Sequence, residues 1–147
     1  AVLRGGDAAA VDGIARAMTG TKERLSETLE QGAAFARTVQ ALTGRALPPR
    51  ALPVAVGEAA RELNLPVDEV VGVYLHAFAA NLVAAATRFA PLGQTEGQGV
   101  LAALHPLIGE LAAWAATAEV DEIGTVALAA EMASMRHETM DVRIFKT

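Results

Sequence analysis

Every strong local signal along this chain reads as helix. Asp7 is placed to cap a first helix that runs to about Met18 and ends at Gly20. A second helix is predicted from about Thr21 to Leu42, because Leu25, Leu29, Gly32, Phe35 and Val39 recur every three to four residues and form one inward stripe. Gly32 weakens helix propensity inside that stripe, so it marks a close approach by another helix. The run Gly44-Arg45-Ala46-Leu47-Pro48-Pro49 cannot continue a helix and is the clearest connector; it divides helices within one fold rather than two domains. Pro53 opens a short helix ending near Leu63-Asn64. Pro66 opens the next, with Asp68 and Glu69 set favourably against the helix dipole.

That helix holds the most hydrophobic run, Val70 to Thr87, which is 18 residues without a charge between Glu69 and Arg88. The length reaches the lower limit of a membrane span, ~17–25 residues. His76 and Asn81, however, stand about 140° apart around a helix and cannot share one seam. The run is also richer in Ala than in Leu, Ile and Phe. It reads as the central helix of a bundle, buried on most sides. The glycine-rich turn Leu92–Gly99 follows, with Thr95 and Gln98 at capping-box spacing for a helix to about Ala118. Pro106 predicts a kink or break near 102–106. A last helix is predicted over about Thr125 to Glu138, and Thr139 to Thr147 form a tail.

Composition strengthens the helical reading. The chain has 147 residues, of which 33 are alanine, with 52% hydrophobic and only 4% aromatic residues. Alanine favours helix and disfavours strand, so the composition argues against an all-β fold and against a disordered chain. The expected architecture is a single-domain, all-α bundle over 1–147, its helices joined by short Pro/Gly turns. The first ten residues lack the apolar core of a signal peptide, and the chain, without an initiating Met, reads as a fragment. The net charge is −5. Residues 89–135 contain no Lys or Arg against six acids, so there is no basic stripe for nucleic acid.

Reactive chemistry is scarce. With no cysteine there are no disulfides, thiolate nucleophiles or thiolate metal sites. Gly99 is followed by Val100 and Leu101 rather than the Lys-Ser/Thr pair of a phosphate loop. The serines, Ser26 and Ser134, sit in no nucleophile elbow. His76, His105 and His137 are 29 and 32 residues apart and form no zinc spacing. Met132, Met135, His137 and Met140 could suit a soft metal, although methionine there reads more simply as adaptable packing. The tail places Arg143 beside Ile144 and Phe145, which suits an interaction anchor as well as a segment folded back on its own core. A helical metal-binding module and a plain dimerisation module both remain open on these residues.

Three stretches carry a family resemblance. The first is Tyr74-Leu75-His76-Ala77-Phe78-Ala79-Ala80-Asn81-Leu82-Val83, continuing through Arg88 to Pro91-Leu92-Gly93-Gln94-Thr95-Glu96-Gly97-Gln98. The second is Ser134-Met135-Arg136-His137-Glu138-Thr139, followed by Arg143-Ile144-Phe145. The third is Glu23-Arg24-Leu25-Ser26-Glu27-Thr28 with Gly32 and Phe35. Together they resemble the urease accessory protein UreF family over about Thr21 to Thr147. Met140 and Asp141 stand where that family has Gln-Tyr, and its upstream Pro-x-Gly-type segment is missing. The resemblance implies a cytoplasmic, dimeric, all-α adaptor for nickel insertion into urease. It would not be an enzyme and would hold no resident cofactor or metal, although nickel passes through the complex. Its partners would be UreD (UreH in some systems), the GTPase UreG, which it regulates, and the urease apoprotein via the complex, with no nucleic acid and no membrane. By position, the resemblance assigns Arg88 to contact with the GTPase, with Gln94 and Glu96 of the adjoining turn as further partner-binding residues. It assigns Arg143, in the interaction tail at 139–147, to complex assembly, and counts Met135, Arg136, His137, Glu138, Ile144 and Phe145 among the partner-binding residues.

Overall fold

The computed structural model describes residues 1–124 and 127–141. Among these it contains six α-helices, three short 3-10 turns and no strand. The helices are α1 (Ala8–Ala17), α2 (Lys22–Thr43), α3 (Leu52–Ala60), α4 (Val67–Phe89), α5 (Gln94–Thr117) and α6 (Leu128–His137). They fall into two compact units. One holds Ala1–Leu63 with the chain from Glu119 onward, and the other is the α4–α5 hairpin, Asn64–Ala118.

Local chemistry sets most helix ends. Asp7 accepts from the Ala9 amide at 2.8 Å and caps α1. Thr21 caps α2 by accepting from the Arg24 amide, and Gly44, at φ 75°, ends it in the left-handed conformation. Pro66 sits at the N-cap of α4, with Asp68 and Glu69 in the first turn. Asn64, left-handed at φ 51°, closes the 3-10 turn Arg61–Leu63 ahead of it.

The first unit is knit together by polar contacts around a small core of Val2, Ala8 and Val54. Asp12 is buried, and one carboxylate oxygen accepts from the Ala51 amide at 2.7 Å while the other accepts from Arg16 at 2.6 Å. Gly32 does permit a close approach, by the connector ahead of α3 rather than by a helix: its missing Cβ would collide with the Arg50 carbonyl, and Leu52 N lies 3.0 Å from the same point. The neighbour is the chain entering α3. That chain is pinned by Ala51 to Asp12, by Leu52 N to Thr28 at 3.3 Å and by Arg50 to Glu58 at 2.7 Å.

The hairpin departs from the sequence reading. α4 is not buried on most sides: Val83 is its buried residue, while Val73 is 70% and Phe78 58% exposed. In its unit α4 pairs with α5 alone, so a single stripe is covered and the other apolar faces stay open. α5 continues as one helix through Pro106. Its start is capped by Glu96, which reaches back to the Gly93 amide at 2.8 Å, rather than by the Thr95–Gln98 pair. A carboxylate in the first turn also gains from the helix dipole, which Gln98 would not. By length and composition α4 and α5 could each cross a bilayer, although His76, Asn81, His105 and Glu110 interrupt them.

Candidate interaction surfaces

The second and third resembling stretches, over a hundred residues apart, come together in the first unit. The N-terminus of α2 presents amide groups with no partner inside the helix. Glu138 supplies one: its Oε1 accepts from Lys22 N at 2.6 Å and from Glu23 N at 3.2 Å. Thr21 Oγ1 accepts from Arg24 N and lies 2.9 Å from Ser134 Oγ. His137 Nδ1 lies 2.6 Å from Glu23 Oε2, and Arg24 pairs with Glu131. Gly20 has no side chain where the Glu131 carboxylate sits; a Cβ there would collide with it. The anionic groups of Glu131 and Glu138 are thus gathered at the positive end of the α2 dipole.

Among the described residues α6 is held through this polar face, and none of its own residues is buried. Leu128, Met132 and Met135, at i, i+4 and i+7, share a different face and are 74%, 53% and 51% exposed. Among the described residues these methionines do not fill a core. They form an outward apolar stripe, and the adjacent Arg136 is exposed as well. Stripes of this spacing are what an amphipathic helix lays into a partner's groove. The expected site residues therefore divide. His137 and Glu138 are engaged at α2, whereas Met135 and Arg136 face outward. Arg143, Ile144 and Phe145 lie outside the described residues.

The hairpin carries the other expected surface. Arg88, in the last turn of α4, is exposed and has no ion-pair partner among the described residues. Gln94 opens α5 and is exposed, while Glu96 is occupied as the cap of that helix. Beside them runs an open apolar groove of about 470 Å³, lined by Leu75, Phe78 and Leu82 from α4 and by Val100, Leu104 and Leu107 from α5. Sequence reasoning missed this groove, because periodicity marks a face as apolar without saying whether the same chain covers it. It also missed Thr21, Glu131 and Ser134, for which no local pattern could signal pairing across 107 to 113 positions.

Comparison with known proteins bears on these surfaces. The sequence profile of the UreF family matches residues 4–105. A protein named Urease accessory protein UreF from Cereibacter sphaeroides (strain ATCC 17029) is 66% identical over 145 residues, covering 99% of this chain and 69% of that protein. Proteins of the same name from Paracoccus denitrificans and Jannaschia sp. are 51% and 42% identical. This chain aligns with them over its full length and with 68% and 67% of theirs.

Proposed function

The chain belongs to the UreF family of urease accessory proteins, and from that premise we propose that it works as an adaptor for nickel insertion into urease. In this reading it acts in the cytoplasm as a homodimer. It bridges UreD (or UreH) and the GTPase UreG, regulates GTP hydrolysis by that partner, and meets the urease apoprotein through the complex. Nickel passes as cargo.

The observation that carries the reading is the way α6 is held. Its polar face is spent on the α2 N-terminus, so its Leu128, Met132 and Met135 face is left outward directly ahead of the tail. A segment anchored this way costs less ordering entropy on association than a free peptide. The exposed Arg88 beside the turn into α5 provides a second point of attachment, whose guanidinium suits bidentate pairing with a carboxylate or phosphate.

The test is co-purification with the urease accessory proteins. Replacing Arg143 or Phe145 by Ala is expected to abolish recovery of UreD while leaving helicity by circular dichroism unchanged. Replacing Arg88 by Ala is expected to reduce UreG recovery and nickel loading of urease. Normal recovery in the tail variants overturns the assembly role, and full nickel loading in the Arg88 variant overturns the GTPase contact.

A further inference from the structure

His76 and His105 are far apart in sequence but meet across the hairpin. Their ring centroids are 5.3 Å apart and their planes are inclined at 41°. Both residues are exposed. We propose that the pair forms a two-imidazole chelate for a borderline divalent transition-metal ion, a class that imidazole nitrogen binds well. The inference goes beyond the adaptor reading and stands or falls without it.

The ring separation carries the argument. A metal lies about 2.0–2.1 Å from a ligating imidazole nitrogen, and the ring centre is about 1.1 Å further back. Each centroid then sits about 3.2 Å from the ion. Two such ligands at a tetrahedral angle place their centroids about 5.2 Å apart, and at a right angle about 4.5 Å. The observed 5.3 Å lies within the span of two imidazoles sharing one ion, a spacing that two rings in plain contact also adopt.

Both imidazoles are open to solvent, and Gly109, one turn after His105 on α5, places no side chain beside them. The hairpin carries Asp68, Glu69, Glu96 and Glu110 against the single cation Arg88, so its field favours a cation over an anion. No group of three or more His, Asp or Glu side chains suited to a metal exists among the described residues. The chain therefore contributes two ligands and leaves the remaining positions to water or to another molecule. Structural zinc sites close all four positions with protein ligands. A two-ligand site binds more weakly and exchanges its ion, which suits transient holding.

The experiment is calorimetric titration of the full chain with nickel(II) alone and with zinc(II) alone, in a non-chelating buffer. One site per chain is expected, weakened about tenfold or more by His76→Ala and equally by His105→Ala, and retained in His137→Ala. Paramagnetic nickel(II) should broaden the imidazole resonances of His76 and His105 together. Circular dichroism of each variant separates loss of ligand from loss of fold, and His76→Asn and His105→Gln serve as polar replacements should an alanine variant unfold. Absence of a site, unchanged affinity in either hairpin variant, or broadening confined to His137 overturns the proposal.

Discussion

The two compact units solve helix association by different means. In the first, the close approach at Gly32 is backed by hydrogen bonds that fix the chain entering α3, and α6 docks through side chains onto the amides of α2. In the second, α4 and α5 meet through small and apolar groups, with Gly97 against Thr87 and Val83, and Gly72 against Ala112. Hydrogen bonds demand one geometry, whereas apolar contact tolerates adjustment. The first unit should therefore be intolerant of added volume at its contacts and sensitive to the loss of single polar groups. The hairpin should adjust to new volume and keep an open apolar face for other molecules.

The largest expected effect is that of Gly32→Ala. The new methyl would overlap the Arg50 carbonyl, and the flanking Ala51 and Leu52 amides are committed to Asp12 and Thr28. Overpacking costs ~1–3 kcal/mol where side chains can yield, and here backbone would have to move. Against a gain of about 1 kcal/mol in helix propensity, the net loss is expected to be about 2 kcal/mol, at the top of that range because backbone must move, read as a lower midpoint in urea. A near-neutral result would show that the chain entering α3 is as yielding as a side chain.

Glu138→Ala comes next. It removes the acceptor shared by two amides and a negative charge at the positive end of α2. Losses of this kind cost about 1–2 kcal/mol. Amide exchange at Lys22 and Glu23 should accelerate more than at the middle of α2, and Glu138→Gln should fall between the two because it keeps an oxygen acceptor. Uniform acceleration along α2 would mean that α6 supports the unit as a whole rather than capping one helix.

How much of this was legible in the sequence follows from the range of each interaction. Asp7 and Pro66 act on amides or dihedrals within a few residues, so local sequence reveals them, and the helix starts they set are those observed. The cap of α5 was misplaced because Gly93–Glu96 and Thr95–Gln98 offer the same spacing, and a carboxylate was the better acceptor. The docking of Glu138 and Ser134 at α2 and the meeting of His76 with His105 depend on how helices return in space, which no local pattern encodes. The uncharged run in α4 was read as buried for a related reason. A hydrophobic stripe reports what avoids water in the working assembly, and here the described chain covers one side of it.

The smallest expected effect, Gly97→Ala, gives the sharpest comparison with Gly32. A Cβ at Gly97 would lie 2.7 Å from Thr87 Cγ2 and 3.1 Å from Val83 Cγ1, so in both units the added methyl meets an occupied position. In the hairpin the obstacle is a side-chain methyl whose rotamer is set by the bond from Thr87 Oγ1 to the Ala84 carbonyl at 3.0 Å. Overpacking should nearly cancel the propensity gain of about 1 kcal/mol. The variant is therefore expected to unfold within about 1 kcal/mol of the parent. Thr87→Ser keeps the hydroxyl and removes the methyl, so Gly97→Ala made in that background should become stabilising, with a coupling of about 1 kcal/mol in a double-mutant cycle. A loss at Gly97 as large as at Gly32, unrelieved by Thr87→Ser, would mean that α4 and α5 cannot shift apart. The distinction between a hydrogen-bonded unit and an adjustable hairpin would then fail.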